Sequence, residues 1–425
     1  METADTDRFH QLYGKPSRRV AYKSSDFLDY ALMSLACAAL VYAVYGPRNV
    51  VAWVGIAACA WMLVAFPLRH GVEWSAPLVA RRPQELLYLF IYKLRNLKPL
   101  YFVAVAVLAV ENLVIWLTPQ WPHYVELMRK IGYGLFYLHL GAITLYRTYS
   151  LVVHLRRREL VREILLQTSW KRRIEGRNVA FEIWHAFFTG LLSHILLVAP
   201  WFLVITYCNF SVLLLPFVCA ANFYVHAQFL KIINEWFYRD HWVAHNAELE
   251  FVYVHGTHHD AIPSGLIGVA GNGHIEGFLR HSIGVPAPFF NPLVATFVYS
   301  FEVHGDIEAH QFIPGMYPKA NIEYQKLTQH SLHHFGMLEP YGFALNVDQP
   351  DADKDFAANF KILPDELKNS IRLDQALNGY TWENRKFREH LALIVRYEPA
   401  QDARADAAFA TDVPDRPIDA STKEE

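Results

Sequence analysis

The chain has 425 residues, of which 53% are hydrophobic and only 19% are charged, whereas soluble domains carry about a quarter charged residues. The formal net charge of −2 excludes a global attraction to nucleic acid, so we expect no nucleic-acid partner. The four cysteines form no CxxC pair, which argues against a zinc ribbon, an iron–sulfur cluster or a disulfide framework.

Residues 1–26 are predicted to be a cytoplasmic segment, because the polar first ten residues lack the basic and apolar regions of a signal peptide. Residues 27–230 are predicted to form a transmembrane bundle. Six apolar stretches there approach the roughly 20 helical residues that cross a bilayer. They are 27–45, 50–67, 100–117, 131–153, 187–207 and 211–230.

The charges of the connecting segments predict the orientation of these spans. Lysine and arginine concentrate in 15–23, 69–98 and 154–177, whereas the connections at 46–49, 118–130 and 208–210 are short and much less basic. Basic loops stay on the cytoplasmic side, so an even number of spans returns the chain to the cytoplasm near Lys231. We therefore expect a multi-pass protein of a bacterial inner membrane or the endoplasmic reticulum.

Single polar residues within the spans, such as Glu111, His139 and His194, are expected to face other helices. A further apolar segment at 286–301 is predicted to be a re-entrant or interfacial helix, because a seventh crossing would place the histidine motifs on opposite sides of the membrane. Near the end of the chain, residues 346–398 read as a soluble helical region and 399–425 as a disordered acidic tail.

Histidine spacing provides the chemical signal of this sequence. Twelve of the 21 histidines lie within residues 241–334. His241 and His245 form an HxxxH motif, and two HxxHH motifs follow. The histidines of those two motifs are His255, His258, His259, His330, His333 and His334.

Residues at i, i+3 and i+4 share one helix face, so each motif can present two or three imidazoles to one point. Imidazole binds iron, zinc and copper, but eight histidines exceed the needs of one zinc ion. Two metal ions account better for the number of histidines. Iron is the expected metal, because it can change oxidation state and activate O2, and zinc could replace it in purified protein.

The motifs HWVAH, HGTHH and HSLHH, in this order, resemble the three histidine boxes of the fatty acid hydroxylase/sterol desaturase superfamily of membrane di-iron enzymes. Gly273-His274-Ile275-Glu276 is similar to the family's His-Pro-x-Glu element, with isoleucine in place of proline. His304 lies in a segment similar to one before the third box, and Tyr341-Gly342 is similar to the family's ending. The resemblance covers about residues 226–345.

Two departures from the family pattern stand out. Trp242 replaces the common arginine of the first box, and the six-span half exceeds the usual four-span core, so the first spans are expected to be an accessory module. The family implies an all-α protein, a helical membrane bundle with a helical cytoplasmic domain at 231–345 that holds a dimetal site.

The resemblance implies that the eight box histidines bind metal, with His274 and His304 as further ligands. His310 and His281 have no clear counterpart, and His310 is off the helical face of His304. His226 is expected to pack at the membrane edge. Ligating histidines usually hydrogen-bond a carboxylate or carbonyl, so the acids beside these ligands are candidate partners or simply solvated. They are Asp240, Glu276, Glu302 and Asp306.

The function implied is O2-dependent hydroxylation of an unactivated C–H bond in a lipid, fatty acyl or sterol-like substrate that enters from the bilayer. Aromatic residues 278, 289, 290 and 299 are candidate walls of its path. No nucleotide-binding fingerprint occurs, so electrons are expected from a separate ferredoxin, cytochrome b5 or reductase. The alternatives are a desaturase or other oxidase on the same scaffold, and a non-catalytic zinc- or copper-binding membrane protein.

Overall fold

The computed structural model of the chain describes residues 27–72, 77, 98–118, 122–159, 161–162, 174–225, 227–228, 251–261, 274–278 and 291–310. Within these ranges the regular structure is entirely helical, without a strand. The predicted all-α class is therefore confirmed for the part of the chain that is described. The predicted segments 1–26, 346–398 and 399–425 lie outside it.

Helices account for most of the described residues. A π-helical turn (Phe251–His255) precedes α8. The helices are α1 (Phe27–Tyr45), α2 (Val50–His70), α3 (Lys98–Leu117), α4 (Pro122–Arg156), α5 (Val179–Leu197), α6 (Ala199–Tyr207), α7 (Val212–Val225), α8 (Gly256–Asp260) and α9 (Pro292–Ala309).

Local chemistry explains several of these boundaries. The side chain of Asn49 accepts a hydrogen bond from the Val51 amide and so begins α2, and Asn178 caps α5 in the same way through the Ala180 amide. Gly71, which follows α2, has φ 74° and donates its amide to the Pro67 carbonyl. This positive φ ends the helix at low steric cost because glycine has no Cβ.

Helices α5 and α6 form one apolar segment, Val179–Tyr207, that is interrupted at Val198. Pro200 lies in the first turn of α6 and has no amide hydrogen to continue the ladder of α5. The Val198 amide still donates to the His194 carbonyl, and the Phe202 amide donates to the Val198 carbonyl. The two helices therefore continue in nearly unbroken sequence.

Among the described residues, three segments are long and apolar enough to cross a membrane, which indicates a membrane protein. They are α1, α2 and Val179–Tyr207. The other predicted spans are also helical: α3 contains the apolar helix Phe102–Leu117, α4 extends over 35 residues, and α7 is apolar but short. The number of six spans and their orientation stay predictions.

Helix α5 lies at the centre of the bundle, where it packs against α2 and α4, while α1 packs against α2. The bundle core contains large buried side chains such as Trp201, Phe136 and Tyr299. Large apolar side chains also point outwards, among them Leu35 of α1 and Leu138 and Leu145 of α4. An outward apolar surface of this kind is what lipid contact requires, because lipid tails do not drive apolar side chains inward.

A buried ion-pair cluster joins the end of α2 to the beginning of α5. Arg69 donates to both carboxylate oxygens of Glu182, at 3.3 Å and 3.0 Å from Nε and 2.7 Å from Nη2. Arg177 lies 3.4 Å from the same carboxylate and donates to the Arg69 carbonyl. The hydrogen bonds among Arg69, Arg177 and Glu182 offset the desolvation of their charges. This cluster therefore fixes the end of α2 against the beginning of α5.

Candidate metal centre

The histidines of the second motif lie together and are buried. His255 ends the π-helical turn, and His258 and His259 follow in α8. Their ring centroids are 5.2 Å apart for His255 and His258, 4.5 Å for His255 and His259, and 5.3 Å for His258 and His259. Each side chain is at most 1% exposed. The spacing predicted this clustering, and the role of the three as ligands stays a prediction.

Glu276 orients the first of these rings. Its Oε1 lies 2.8 Å from Nδ1 of His255, and both side chains are fully buried. A contact at Nδ1 leaves Nε2 as the nitrogen with which His255 can bind a metal, an arrangement common among metal-ligating histidines. Nε2 of His255 faces Nε2 of His259 at 2.9 Å. The carboxylate contact proposed for Glu276 from the sequence is thus present.

His310 joins the cluster from a distant part of the chain. It directly follows α9, and its Nε2 lies 3.1 Å from Nε2 of His258. His310 was a less favoured candidate ligand in the sequence, because it is off the face of His304 on a continuous helix. The helix ends at Ala309, so the rule for positions on one helical face does not apply to His310. A histidine directly after an apolar helix was the available signal.

The distances between these nitrogens fit metal binding. Two imidazole nitrogens at about 2.1 Å from a transition-metal ion and at right angles to each other are about 3.0 Å apart. The pairs His255–His259 and His258–His310 are separated by 2.9 Å and 3.1 Å. Among the described residues the histidines converge in pairs, and no group of three or more candidate ligands meets at one point. The donor set and the pair geometry therefore fit a soft or borderline metal.

His274 is held beside this cluster by three contacts. Its backbone amide donates to Thr257 Oγ1 at 2.9 Å, Ser34 Oγ lies 2.9 Å from its Nε2, and the Tyr30 ring meets its ring edge-on at 4.5 Å. Both Tyr30 and Ser34 belong to α1. Helix α1 therefore contacts the candidate centre, which differs from the expectation of a separate accessory module.

Helix α9 runs through the bundle to the histidine cluster. At its start, Asn291 donates to Glu111 at 2.6 Å, and Glu111 also accepts the Ser211 amide at 2.9 Å. Midway, Tyr299 stacks on Trp201 at 5.3 Å. The helix expected at 286–301 is present with shifted bounds: it begins at Pro292, packs on α4 and α6, and ends at Ala309 next to His310. Its re-entrant or interfacial position stays a prediction.

The polar residues predicted to face other helices do so. Glu111 is buried and accepts the hydrogen bonds described above. His139 packs its ring 5.3 Å from the ring of His194, and its Nδ1 lies 3.5 Å from Ser300 of α9. Polar pairs between helices satisfy groups that lipid could not.

His154, near the end of α4, lies beyond the predicted span and is also buried. Its Nδ1 is 2.8 Å from the Ser150 carbonyl oxygen. Burial disfavours the charged imidazolium and lowers the pKa of His154 from 6.5 to about 4. The ring is therefore neutral over the physiological pH range.

The remaining predicted ligands are less fully described. His304 lies within α9, but its side chain is not described, and the same holds for Glu302 and Asp306. The other predicted residues lie outside the described part of the chain. They are His226, His241, His245, His281, His330, His333, His334, Asp240 and the aromatic residues 289 and 290.

Comparison of the chain with protein-family models, with curated proteins and with solved structures finds no match. The likeness to the histidine-box superfamily therefore rests on the residues of the motifs themselves.

Proposed function

We propose that this chain is a membrane-bound di-iron oxygenase that hydroxylates an unactivated C–H bond of a lipid-like substrate. The observation that carries the proposal is the arrangement of His255, whose Nδ1 faces the Glu276 carboxylate while its Nε2 faces Nε2 of His259. This is the combination of an oriented imidazole and a second imidazole nitrogen at the spacing of adjacent metal ligands.

Two nitrogen pairs support two metal positions rather than one. The two pairs, His255–His259 and His258–His310, are adjacent. The ring centroid of His258 lies 5.2 Å from that of His255 and 5.3 Å from that of His259. The histidines that the sequence pattern adds, in the first and third motifs, would supply the further ligands of two ions. Iron is the metal proposed, since imidazole ligation suits it and it supports O2 chemistry.

Hydroxylation would place one atom of O2 in the C–H bond and reduce the other to water, with two electrons and two protons. Bound iron would bind O2 and pass the electrons that reduce it. The protein's own residues hold the imidazoles in place and exclude water: Glu276 orients His255, and Thr257 fixes the backbone of His274. The cluster is buried in helical surroundings, which protects a reactive centre from solvent.

The membrane location supports a hydrophobic substrate and an external electron donor. The end of the bundle where α1 begins and α2 ends is the end that carries the basic segments, so the histidine cluster would face the cytoplasm. A ferredoxin, a cytochrome b5 or a reductase could reach it there. A desaturase would use the same ligands and differs only in removing two hydrogen atoms from the substrate.

A second candidate is metal transport without catalysis. The observation that favours it is the presence of buried ionisable residues inside the bundle, in particular Glu111, His139 and His194, since residues of this kind line ion paths in transporters. Stoichiometric zinc, together with no consumption of O2, would favour this candidate.

Metal analysis and lipid profiling test the proposal together. Purified wild-type protein should contain about two irons per chain, and a strain that expresses it should accumulate a lipid with one added oxygen atom. His258→Ala should abolish that product, and His123→Ala, which changes an exposed histidine of α4, should leave it unchanged. A product lacking two hydrogens would identify a desaturase. Wild-type product from His258→Ala would contradict the proposal.

A further inference from the structure

Helix α1 contacts the candidate metal centre across a sequence separation of 240 residues. Ser34 Oγ of α1 lies 2.9 Å from Nε2 of His274. One turn earlier, Asp29 accepts a hydrogen bond from the hydroxyl of Tyr253, which belongs to the π-helical turn that ends at His255. All these side chains are at most 4% exposed.

Tyr30 completes this contact surface from the same helix. Its ring meets the ring of His274 edge-on at 4.5 Å and 73°, and it packs on Phe66 of α2 at 4.3 Å. His274 is thus held between a hydroxyl group and an aromatic ring of α1 at its side chain, and by Thr257 at its backbone amide. Two contacts on the imidazole and one on the backbone amide of His274 restrict the position and rotation of the ring.

The chemistry of these contacts has a direct consequence for metal binding. A hydroxyl group at Nε2 restricts metal coordination by His274 to Nδ1, since each ring nitrogen serves one partner. The hydrogen bond from the Tyr253 hydroxyl to Asp29 fixes the position of the turn that presents His255. Buried polar groups of this kind are costly unless paired, so the pairs define a specific arrangement rather than general apolar packing.

We propose that α1 is an integral part of the metal centre, and that Ser34 and Asp29 are positioning residues for it. Ser34 sets the tautomer and orientation of His274, and Asp29 positions the turn with His255 through Tyr253. This inference rests on the proposed function, because it concerns the same metal site. The inference assigns α1 a role that the histidine motifs alone do not indicate.

Ser34→Ala tests the inference in the full-length protein purified in detergent. The probes are iron(II), added without oxygen to metal-free protein, and cobalt(II), whose visible absorption bands report ligand geometry. Loss of an outer hydrogen bond to a ligating histidine weakens metal affinity by about 10- to 100-fold. We expect a loss of that size in Ser34→Ala, together with shifted cobalt bands, and recovery of both in Ser34→Thr, which retains the hydroxyl.

Thr206→Val is the matched control. Thr206 Oγ1 of α6 lies 2.9 Å from the hydroxyl of Tyr133 in α4, so this change also removes one hydrogen bond between side chains of two helices. This hydrogen bond involves neither α1 nor the histidines, so the iron affinity and cobalt bands of Thr206→Val should equal those of wild type. A purely structural role for Ser34 would lower thermal stability in both variants without moving the cobalt bands.

Wild-type iron affinity and cobalt bands in Ser34→Ala would overturn the inference and leave the proposed function standing. Absence of metal binding by the wild-type protein would overturn both. Should Ser34→Ala fail to fold, Tyr253→Phe takes its place, since it deletes only the hydroxyl that donates to Asp29. Lowered iron affinity with shifted bands supports the inference there too, and wild-type values for both contradict it.

Discussion

The contact between Glu276 and His255 allows a graded test of how the proposed metal centre is held. The two groups are 2.8 Å apart, and both are fully buried. Glu276→Gln keeps the size and an acceptor oxygen of the side chain but removes its charge. A hydrogen bond to a charged group contributes about 1.5–3 kcal/mol and a neutral one about 0.5–1.5 kcal/mol.

The midpoints of these two ranges differ by about 1.3 kcal/mol, which corresponds to about a tenfold lower affinity for iron. Glu276→Ala leaves Nδ1 of His255 without this acceptor inside the protein, which costs a further desolvation penalty of about 1–3 kcal/mol. We therefore expect iron affinity to decrease in the order wild type, Glu276→Gln, Glu276→Ala, with the last about a hundredfold or more below wild type.

The assay is competition for iron(II) between metal-free protein in detergent and a coloured chelator of known affinity, without oxygen. Glu126→Gln is the control, because Glu126 pairs with Lys130 on the surface of α4 and its side chain is 61% exposed. Its iron affinity should match that of wild type. Wild-type affinity in Glu276→Gln, or equal affinities in the two Glu276 variants, would refute the reasoning.

Three further predictions concern other parts of the structure. His310→Ala should lower iron affinity at least tenfold, because its Nε2 lies at ligand spacing from the facing histidine; chelator competition measures this. Gly277→Ala should lower the free energy of unfolding by about 1–3 kcal/mol, because an added Cβ would lie 2.7 Å from a backbone carbonyl oxygen of α5; denaturant titration measures it. His154→Asn should reduce the loss of stability between pH 7 and pH 5. The wild-type histidine binds a proton in the unfolded chain below about 6.5 but in the folded chain only near 4, so it should cost about 2 kcal/mol over that range.

Controls for these variants come from positions without the relevant contact. His123→Asn changes an exposed histidine and should not alter iron affinity. Gly141→Ala should be neutral or stabilising, because nothing lies within 4 Å of an added Cβ there. Wild-type iron affinity in His310→Ala, equal stabilities of the two glycine variants, or an unchanged pH slope in His154→Asn would each contradict its prediction.

The histidine motif illustrates how far local spacing can predict a site. His255, His258 and His259 are close in sequence, and helical geometry alone places i, i+3 and i+4 on one face, so their clustering was predictable. The same holds for the contact of Glu276, because a carboxylate near proposed ligands is a common partner. The helical class and the approximate bounds of α1, α2 and α3 likewise follow from the length of apolar runs.

The sequence did not predict where long-range partners meet. His310 lies 52 residues from His258. The position of the His310 ring depends on where α9 ends, at Ala309, which the sequence did not predict. Ser34 and Asp29 carry no motif at all, because their role depends on which helix the bundle places beside His274 and Tyr253. Packing of whole helices decides such contacts, and local propensity does not encode it.

By itself, the sequence therefore determined the helical membrane character of this protein and the positions of its histidine motifs, since both depend on residues within a few turns of one another. Only the tertiary structure decided that α1 borders the histidine cluster, that α9 brings His310 to His258, and that Glu111 anchors the start of α9. These contacts arise from the burial of complementary polar groups between distant helices, and many chain arrangements share the same local pattern.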